Sequence, residues 1–229
     1  MINTIFAMAT AAVTPVLFSA LSKLQNDEEQ FNRSMFDMQK IICMLLLPAG
    51  VGLSAYRCLA TDILFGSNWA EAAEIVGYIS VTLALRTVFT SFYSSVYRAK
   101  GKFYIPLVLQ LLSLVMMVPA YIFAAKRGFW ELVHMRAIMN LNLIIPEMIC
   151  LAVVCRISLY RTLRELSHPL VATLVMLVAI VGLQSIGDSV VWEVLSIAIC
   201  ICVYGGALLL FKEERKILQD FLRRIGRKA

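Results

Sequence analysis

The stretch FYIPLVLQLLSLVMMVPAYIFAA, residues 103–125, contains no charged side chain. It is bracketed by Arg98, Lys100 and Lys102 before it and by Lys126 and Arg127 after it. A helix crossing a bilayer needs about 20 mostly apolar residues, because the hydrocarbon layer offers no partner for an open backbone. This stretch therefore reads as a transmembrane helix, and a soluble core helix of that length would carry a polar face. Outward from it, the same pattern recurs at Ile2 to Ser22, Ile41 to Leu59, Ile75 to Tyr97, Leu132 to Cys155, Pro169 to Ile186 and Val190 to Phe211. The expected fold is thus an all-α polytopic bundle of about seven transmembrane helices over residues 1–211. None of these stretches shows the period-two alternation of a membrane barrel strand.

Composition agrees with this reading. Hydrophobic residues make up 60% of the 229 and charged residues only 16%, well above the apolar share of soluble domains. The mean hydropathy is +0.80. A net charge of +6 could suggest nucleic acid, but the basic residues lie between apolar stretches and in the last positions of the chain, so no nucleic-acid partner is expected.

Alternating the loops between two sides tests the segment count, since cytoplasmic loops carry the Lys/Arg excess. One side holds Lys23, Arg33, Lys40, Arg98, Lys100, Lys102, Arg156, Arg161, Arg164 and seven cations of the tail; the other holds Arg57, Lys126, Arg127 and Arg136. The reading places the C-terminus in the cytoplasm and the N-terminus outside. Trp69, Trp130 and Trp192 fall at helix starts on the outer side, where amphipathic rings anchor at the interface. Met1 to Ser22 lacks the basic flank of a secretory signal, so it reads as a retained helix, with the architecture expected to continue upstream. Residues 212–229 place Ile217, Leu218, Phe221, Leu222 and Ile225 on one stripe against a basic face, a cytoplasmic amphipathic tail on membrane lipids.

Ionisable groups at membrane depth are costly and are functional candidates by default. Arg86 lies midway along the third stretch, with Thr82, Thr90 and Tyr93 near it on an α-helical wheel. Glu147 lies in Asn140-Leu-Asn-Leu-Ile-Ile-Pro-Glu, beside a proline that frees a backbone carbonyl. Arg86, Tyr93, Asn140 and Asn142 are candidate substrate contacts, since a guanidinium fork suits a pyrophosphate or carboxylate. Glu147 is the candidate for exchanging a proton or holding an ion; the structural alternative is that Arg86 and Glu147 pair with each other. Pro15, Pro48, Pro119 and Pro146 fall inside stretches, and Leu47-Pro-Ala-Gly-Val-Gly-Leu53 joins a kink to two glycines that permit close helix contact.

Six cysteines (Cys43, Cys58, Cys150, Cys155, Cys200, Cys202) sit mostly in apolar runs without a CxxC pair, and His134 and His168 are isolated, so no metal or cofactor is expected. No nucleophile elbow, phosphate loop or zinc helix is present, and no catalytic residue is assigned.

Four blocks in order carry a family likeness: Thr14-Pro-Val-Leu-Phe-Ser through Asn32-Arg33, Leu45-Leu-Leu-Pro-Ala-Gly-Val-Gly-Leu53, Ile63-Leu-Phe-Gly-Ser-Asn-Trp-Ala-Glu-Ala72 and Tyr97-Arg-Ala-Lys-Gly-Lys102. They resemble the bacterial polysaccharide exporters, the lipopolysaccharide and O-antigen flippases of the multidrug/oligosaccharidyl-lipid/polysaccharide superfamily. The resemblance implies a MATE-like architecture of two rocking lobes around a central cationic cavity, this chain being similar to the second lobe plus two extra C-terminal helices. It implies movement of an undecaprenyl-pyrophosphate-linked oligosaccharide across the bacterial inner membrane, with a first lobe or polysaccharide assembly proteins as partners. A drug/cation antiporter of the same superfamily and a non-transporting scaffold or remnant are the alternatives. A membrane glycosyltransferase would need a long outer loop, and the longest here, Asp62 to Glu74, is about a dozen residues.

Overall fold

The computed structural model describes residues 2–187 and 189–211. Ten α-helices are described: α1 (Ile2–Lys23), α2 (Glu28–Ala55), α3 (Arg57–Phe65), α4 (Ala73–Arg86), α5 (Phe92–Ala99), α6 (Tyr104–Ala125), α7 (Phe129–Met139), α8 (Ile144–Cys155), α9 (Leu159–Gln184) and α10 (Val190–Leu210). A 3₁₀ turn, Ser67–Ala72, leads into α4, and a π-helical turn, Thr87–Ser91, joins α4 to α5. No strand occurs among the described residues.

Six helical stretches among the described residues are long and apolar enough to cross a membrane: Glu28–Ala55, Ser67–Ala99, Tyr104–Ala125, Phe129–Val153, Tyr160–Gln184 and Val190–Leu210. The chain is a multi-pass membrane protein. Helix α6 matches its expected limits within one residue, since charge and turn chemistry mark both ends. Gly101 (φ 71°) and Gly128 (φ 128°) adopt backbone conformations there that L side chains avoid. The amphipathic tail lies outside the described residues.

Two helices begin well before their apolar runs, a correction to the expected boundaries. Helix α2 starts at Glu28 rather than Ile41, because Asp27 caps it by accepting the Gln30 amide at 3.0 Å, and Glu28 and Glu29 complement the helix dipole. Its polar first half is docked on one side. Phe31, Met35, Phe36 and Gln39 are buried, and Lys100 and Arg161 lie over the Phe31 and Phe36 rings at 4.8 and 5.2 Å. Helix α9 starts at Leu159 rather than Pro169, and its added turns bring Glu165 into an ion pair with the buried Lys40 of α2.

The core gathers around α2. On one side Cys43 and Leu47 join Leu83, Ala84, Val88, Phe92, Val96 and Tyr97 of the α4–α5 rod. On the other, Met44 and Tyr56 meet Ala172, Met176 and Ile180 of α9 and Cys200, Tyr204 and Leu208 of α10. Gly50 makes the first contact possible: a Cβ there would stand 2.5 Å from the Ala84 Cβ and 2.9 Å from the Ser80 carbonyl oxygen. Gly52, by contrast, faces open space, so of the two glycines in the expected motif Gly50 is the one that sets the helix approach. Pro48 cannot donate to the carbonyl four residues before it, that of Met44. The Tyr204 hydroxyl donates to that carbonyl at 2.8 Å, so α10 satisfies the acceptor that the kink orphans.

The expected fifth helix is one span in two pieces. A turn at residues 140–143 separates α7 from α8, and Pro146 falls in the first turn of α8, where a missing N–H costs least. Broken helices of this kind line cavities in membrane proteins, because a neighbouring helix can satisfy the exposed backbone.

Candidate functional site

The five candidate side chains fall into three places. Arg86 ends α4, immediately before the π turn, and is half-buried. Its Nη1 donates to the Asn140 Oδ1 at 3.4 Å, and the Asn140 Nδ2 donates to the Thr82 Oγ1 at 3.1 Å. The break between α7 and α8 thus turns a buried amide toward α4, one helical turn below the arginine. Asn142, two residues on, points elsewhere: its Nδ2 donates to the Ser113 Oγ of α6 at 3.0 Å.

A second cation stands beside Arg86. Arg136 of α7 interacts with it electrostatically, as does the Tyr121 hydroxyl of α6. The Arg136 Nη1 donates to the Tyr121 hydroxyl at 3.3 Å. Ile79, Tyr121, Leu132, Val133 and Arg136 line a cavity of about 310 Å³. The charge count put Arg136 on the outer side although it falls within the expected stretch Leu132 to Cys155, and it lies inside a membrane-length stretch, seven residues beyond Phe129. A run of apolar residues on both sides of it, Leu132-Val133 and Ala137-Ile138, was the available signal. Arg136 lines the cavity and Arg86 interacts with Arg136; two neighbouring guanidinium groups favour an anion, since each presents five N–H donors and no acceptor.

Tyr93 and Glu147 occupy a different, sealed place between α2, α5 and α8. Tyr93 is fully buried, and its hydroxyl accepts the Gln39 Nε2 at 2.8 Å. The same Nε2 reaches the Val88 carbonyl at 3.3 Å, a carbonyl of the π turn. Glu147 is 3% exposed and interacts electrostatically with Tyr93. The Tyr97 hydroxyl donates to the Glu147 backbone carbonyl at 3.0 Å and lies within hydrogen-bonding reach of its carboxyl group. Glu147 Oε2 and Gln39 Oε1 have no hydrogen-bond partner. Among the described residues Arg86 and Glu147 form no ion pair, so the two ionisable candidates are held apart rather than neutralising one another.

Gln39 escaped the sequence reading because it falls just before the apolar run, among charged neighbours. Its spacing from Met35 and Phe31, four and eight residues, was the signal that it shares their buried face. His134 packs edge-on to Tyr78 with ring centroids 5.2 Å apart, and His168 stacks on Phe211 at 4.5 Å. Among the described residues no group of three His, Cys, Asp or Glu side chains could hold a metal ion.

Residues 1–74 match the model of a family described as polysaccharide biosynthesis protein. Over 112 residues the chain is 26% identical to an uncharacterized membrane protein in the cps region of Klebsiella pneumoniae, covering 49% of this chain and 23% of that protein. Over 82 residues it is 29% identical to the succinoglycan biosynthesis transport protein ExoT of Rhizobium meliloti (strain 1021), covering 36% of this chain and 17% of that one. The aligned part of the chain thus spans less than a quarter of the length of either relative. No solved structure matches. The chain is a multi-pass helical membrane protein, similar in sequence to proteins of polysaccharide biosynthesis and transport.

Proposed function

We propose that this chain forms a flippase lobe that moves a lipid-linked oligosaccharide, of the undecaprenyl-pyrophosphate type, from the inner to the outer leaflet by alternating access. The observation that carries the reading is the donor-rich seam of Arg86, Arg136, Tyr121 and Asn140, of which Tyr121 and Arg136 line a cavity in apolar helices. A half-buried arginine in hydrocarbon costs about 3 kcal/mol on insertion scales, so a seam with two of them is retained for a charged or wet occupant. A pyrophosphate offers acceptors on every face and matches the arginine fork. One relative is named as a transport protein of succinoglycan biosynthesis, which supports a transport role.

The π turn and the break at residues 140–143 adjoin the seam, and both are places where a membrane helix bends without losing its remaining ladder. In this reading α1 is a seventh span, the chain lies in the bacterial inner membrane, and its N-terminus is outside. The Lys/Arg distribution supports that orientation. A first lobe or polysaccharide assembly proteins complete the cavity, giving a MATE-like pair, and Glu147 couples transport to an ion gradient. We assign it no enzymatic step.

Complementation tests the reading. The chain is expressed alone, and joined to an upstream lobe, in a flippase-deficient strain, and surface polysaccharide is scored. Rescue that Arg86→Ala abolishes with membrane insertion intact is the expected result. Absence of rescue in both forms overturns the transport reading and favours a scaffold; rescue of drug resistance alone favours an antiporter.

A further inference from the structure

The π turn is held by one side chain of a neighbouring helix. The Phe92 amide donates to the Thr87 carbonyl, so the Val88 carbonyl loses the amide that an α ladder would give it. Gln39 of α2 fills that gap: its Nε2 donates to the Val88 carbonyl at 3.3 Å and to the Tyr93 hydroxyl at 2.8 Å. A single amide group therefore fixes both the extra residue and the direction of the tyrosine that follows it. The fit is incomplete. Thr90 Oγ1, inside the turn, and Gln39 Oε1 have no hydrogen-bond partner, although their residues are 7% and 0% exposed. Buried oxygens in an apolar bundle are costly unless paired, so the turn has polar groups that its present position does not use.

A π turn is one extra residue in an α ladder, and it can pass along the helix while the ladder closes behind it, one hydrogen bond exchanged for another. Each residue that it passes turns by about 100° and takes the direction of its successor. Phe92 then stands where Tyr93 stands, one buried ring replacing another, and Tyr93 takes the direction of the half-buried Ser94. Counted at about 100° per residue, with one residue lost to the turn, that direction lies within about 20° of Arg86. Thr90 comes round to the same side.

We propose that the π turn is a two-position switch on the donor-rich seam. With the turn at Thr87–Ser91, Gln39 keeps Tyr93 away from Arg86; with the turn moved beyond Tyr93, the Tyr93 and Thr90 hydroxyls join Arg86 around an anionic occupant. Gln39 is then the latch, a positioning residue that acts through Tyr93. The role of the switch rests on the anion reading of the seam; the existence of two registers does not.

The test is equilibrium binding of undecaprenyl pyrophosphate, without sugar, to the purified full chain in lipid nanodiscs. Gln39→Leu removes the latch and should tighten binding about fivefold, the size of one buried hydrogen bond that switching no longer breaks. Adding Tyr93→Phe to Gln39→Leu should abolish the gain, because the hydroxyl that the shift delivers is gone. A glutamine that only packs the bundle gives the opposite sign, binding weakened or unmoved by its loss. Deleting Thr90 takes out the extra residue, closes the ladder and leaves Tyr93 beside Gln39. That deletion should weaken binding about fivefold while the unfolding midpoint holds or rises, and it decides the matter if Gln39→Leu does not fold.

Binding that is no tighter in folded Gln39→Leu, or a gain that survives Tyr93→Phe, overturns the switch; so does unchanged binding after the deletion, where that variant decides. Arg86→Ala separates the switch from the reading beneath it. A Tyr93-dependent gain in a chain whose affinity ignores Arg86→Ala sinks the anion seam and leaves the switch standing. Affinity that falls with Arg86→Ala but ignores Gln39→Leu sinks the switch alone.

Discussion

The two polar clusters lie on either side of one π turn and are built with opposite excesses. The seam at Arg86 and Arg136 is half-buried, beside a cavity, and rich in donors. The cluster at Gln39 and Glu147 is sealed and rich in acceptors. Buried polar chemistry is costly in hydrocarbon, and a bundle that only had to pack would have brought the arginine and the glutamate together. Keeping them apart leaves one place rich in donors and another with buried oxygens that lack partners.

The largest effect expected from breaking this contrast is on the donor-rich side. Arg86→Ala should lower polysaccharide transport roughly 10–100-fold with helicity unchanged, the cost of one charge-assisted contact of about 1.5–3 kcal/mol. Arg86→Lys should recover only part, because a point charge cannot fork. Next comes the packing that holds the two clusters in register. Gly50→Ala drives a methyl group into Ala84 and the Ser80 carbonyl and should cost about 1–3 kcal/mol, read as a drop of several degrees in the unfolding midpoint. The same change at Gly52 should be near neutral in fit, as that glycine has open space. Smaller again is Tyr204→Phe, which orphans the Met44 carbonyl for a second time and should cost about 1 kcal/mol in thermal unfolding.

Where the sequence was legible, the reason was length without charge. Helix α6 could be read to within a residue because nothing polar interrupts it and basic residues and glycines stop it. Helices α2 and α9 were shortened by the same logic, since hydropathy averages over a turn and cannot see that Phe31, Met35, Phe36 and Gln39 occupy one buried face of a polar helix. Depth in the membrane was also legible: Arg86 and Glu147 stand out as lone charges in apolar runs.

Direction around the helix was not legible. An α-helical wheel puts Tyr93 beside Arg86, but the π turn at residues 87–91 adds a residue and rotates everything after it by about 100°. Tyr93 therefore meets Gln39, while Asn140 takes the place beside Arg86 through a break in a helix that hydropathy reads as continuous. The pair of asparagines in Asn140-Leu-Asn142 suffers the same separation, one reaching α4 and the other α6.

Equilibrium binding of an undecaprenyl-pyrophosphate-linked oligosaccharide to the purified chain in nanodiscs compares wild type, Arg86→Ala and Glu147→Gln most directly. Equal affinity for wild type and Glu147→Gln, with Arg86→Ala weaker by about tenfold or more, is the predicted result. Affinity that survives Arg86→Ala unchanged would contradict an anion site at the seam.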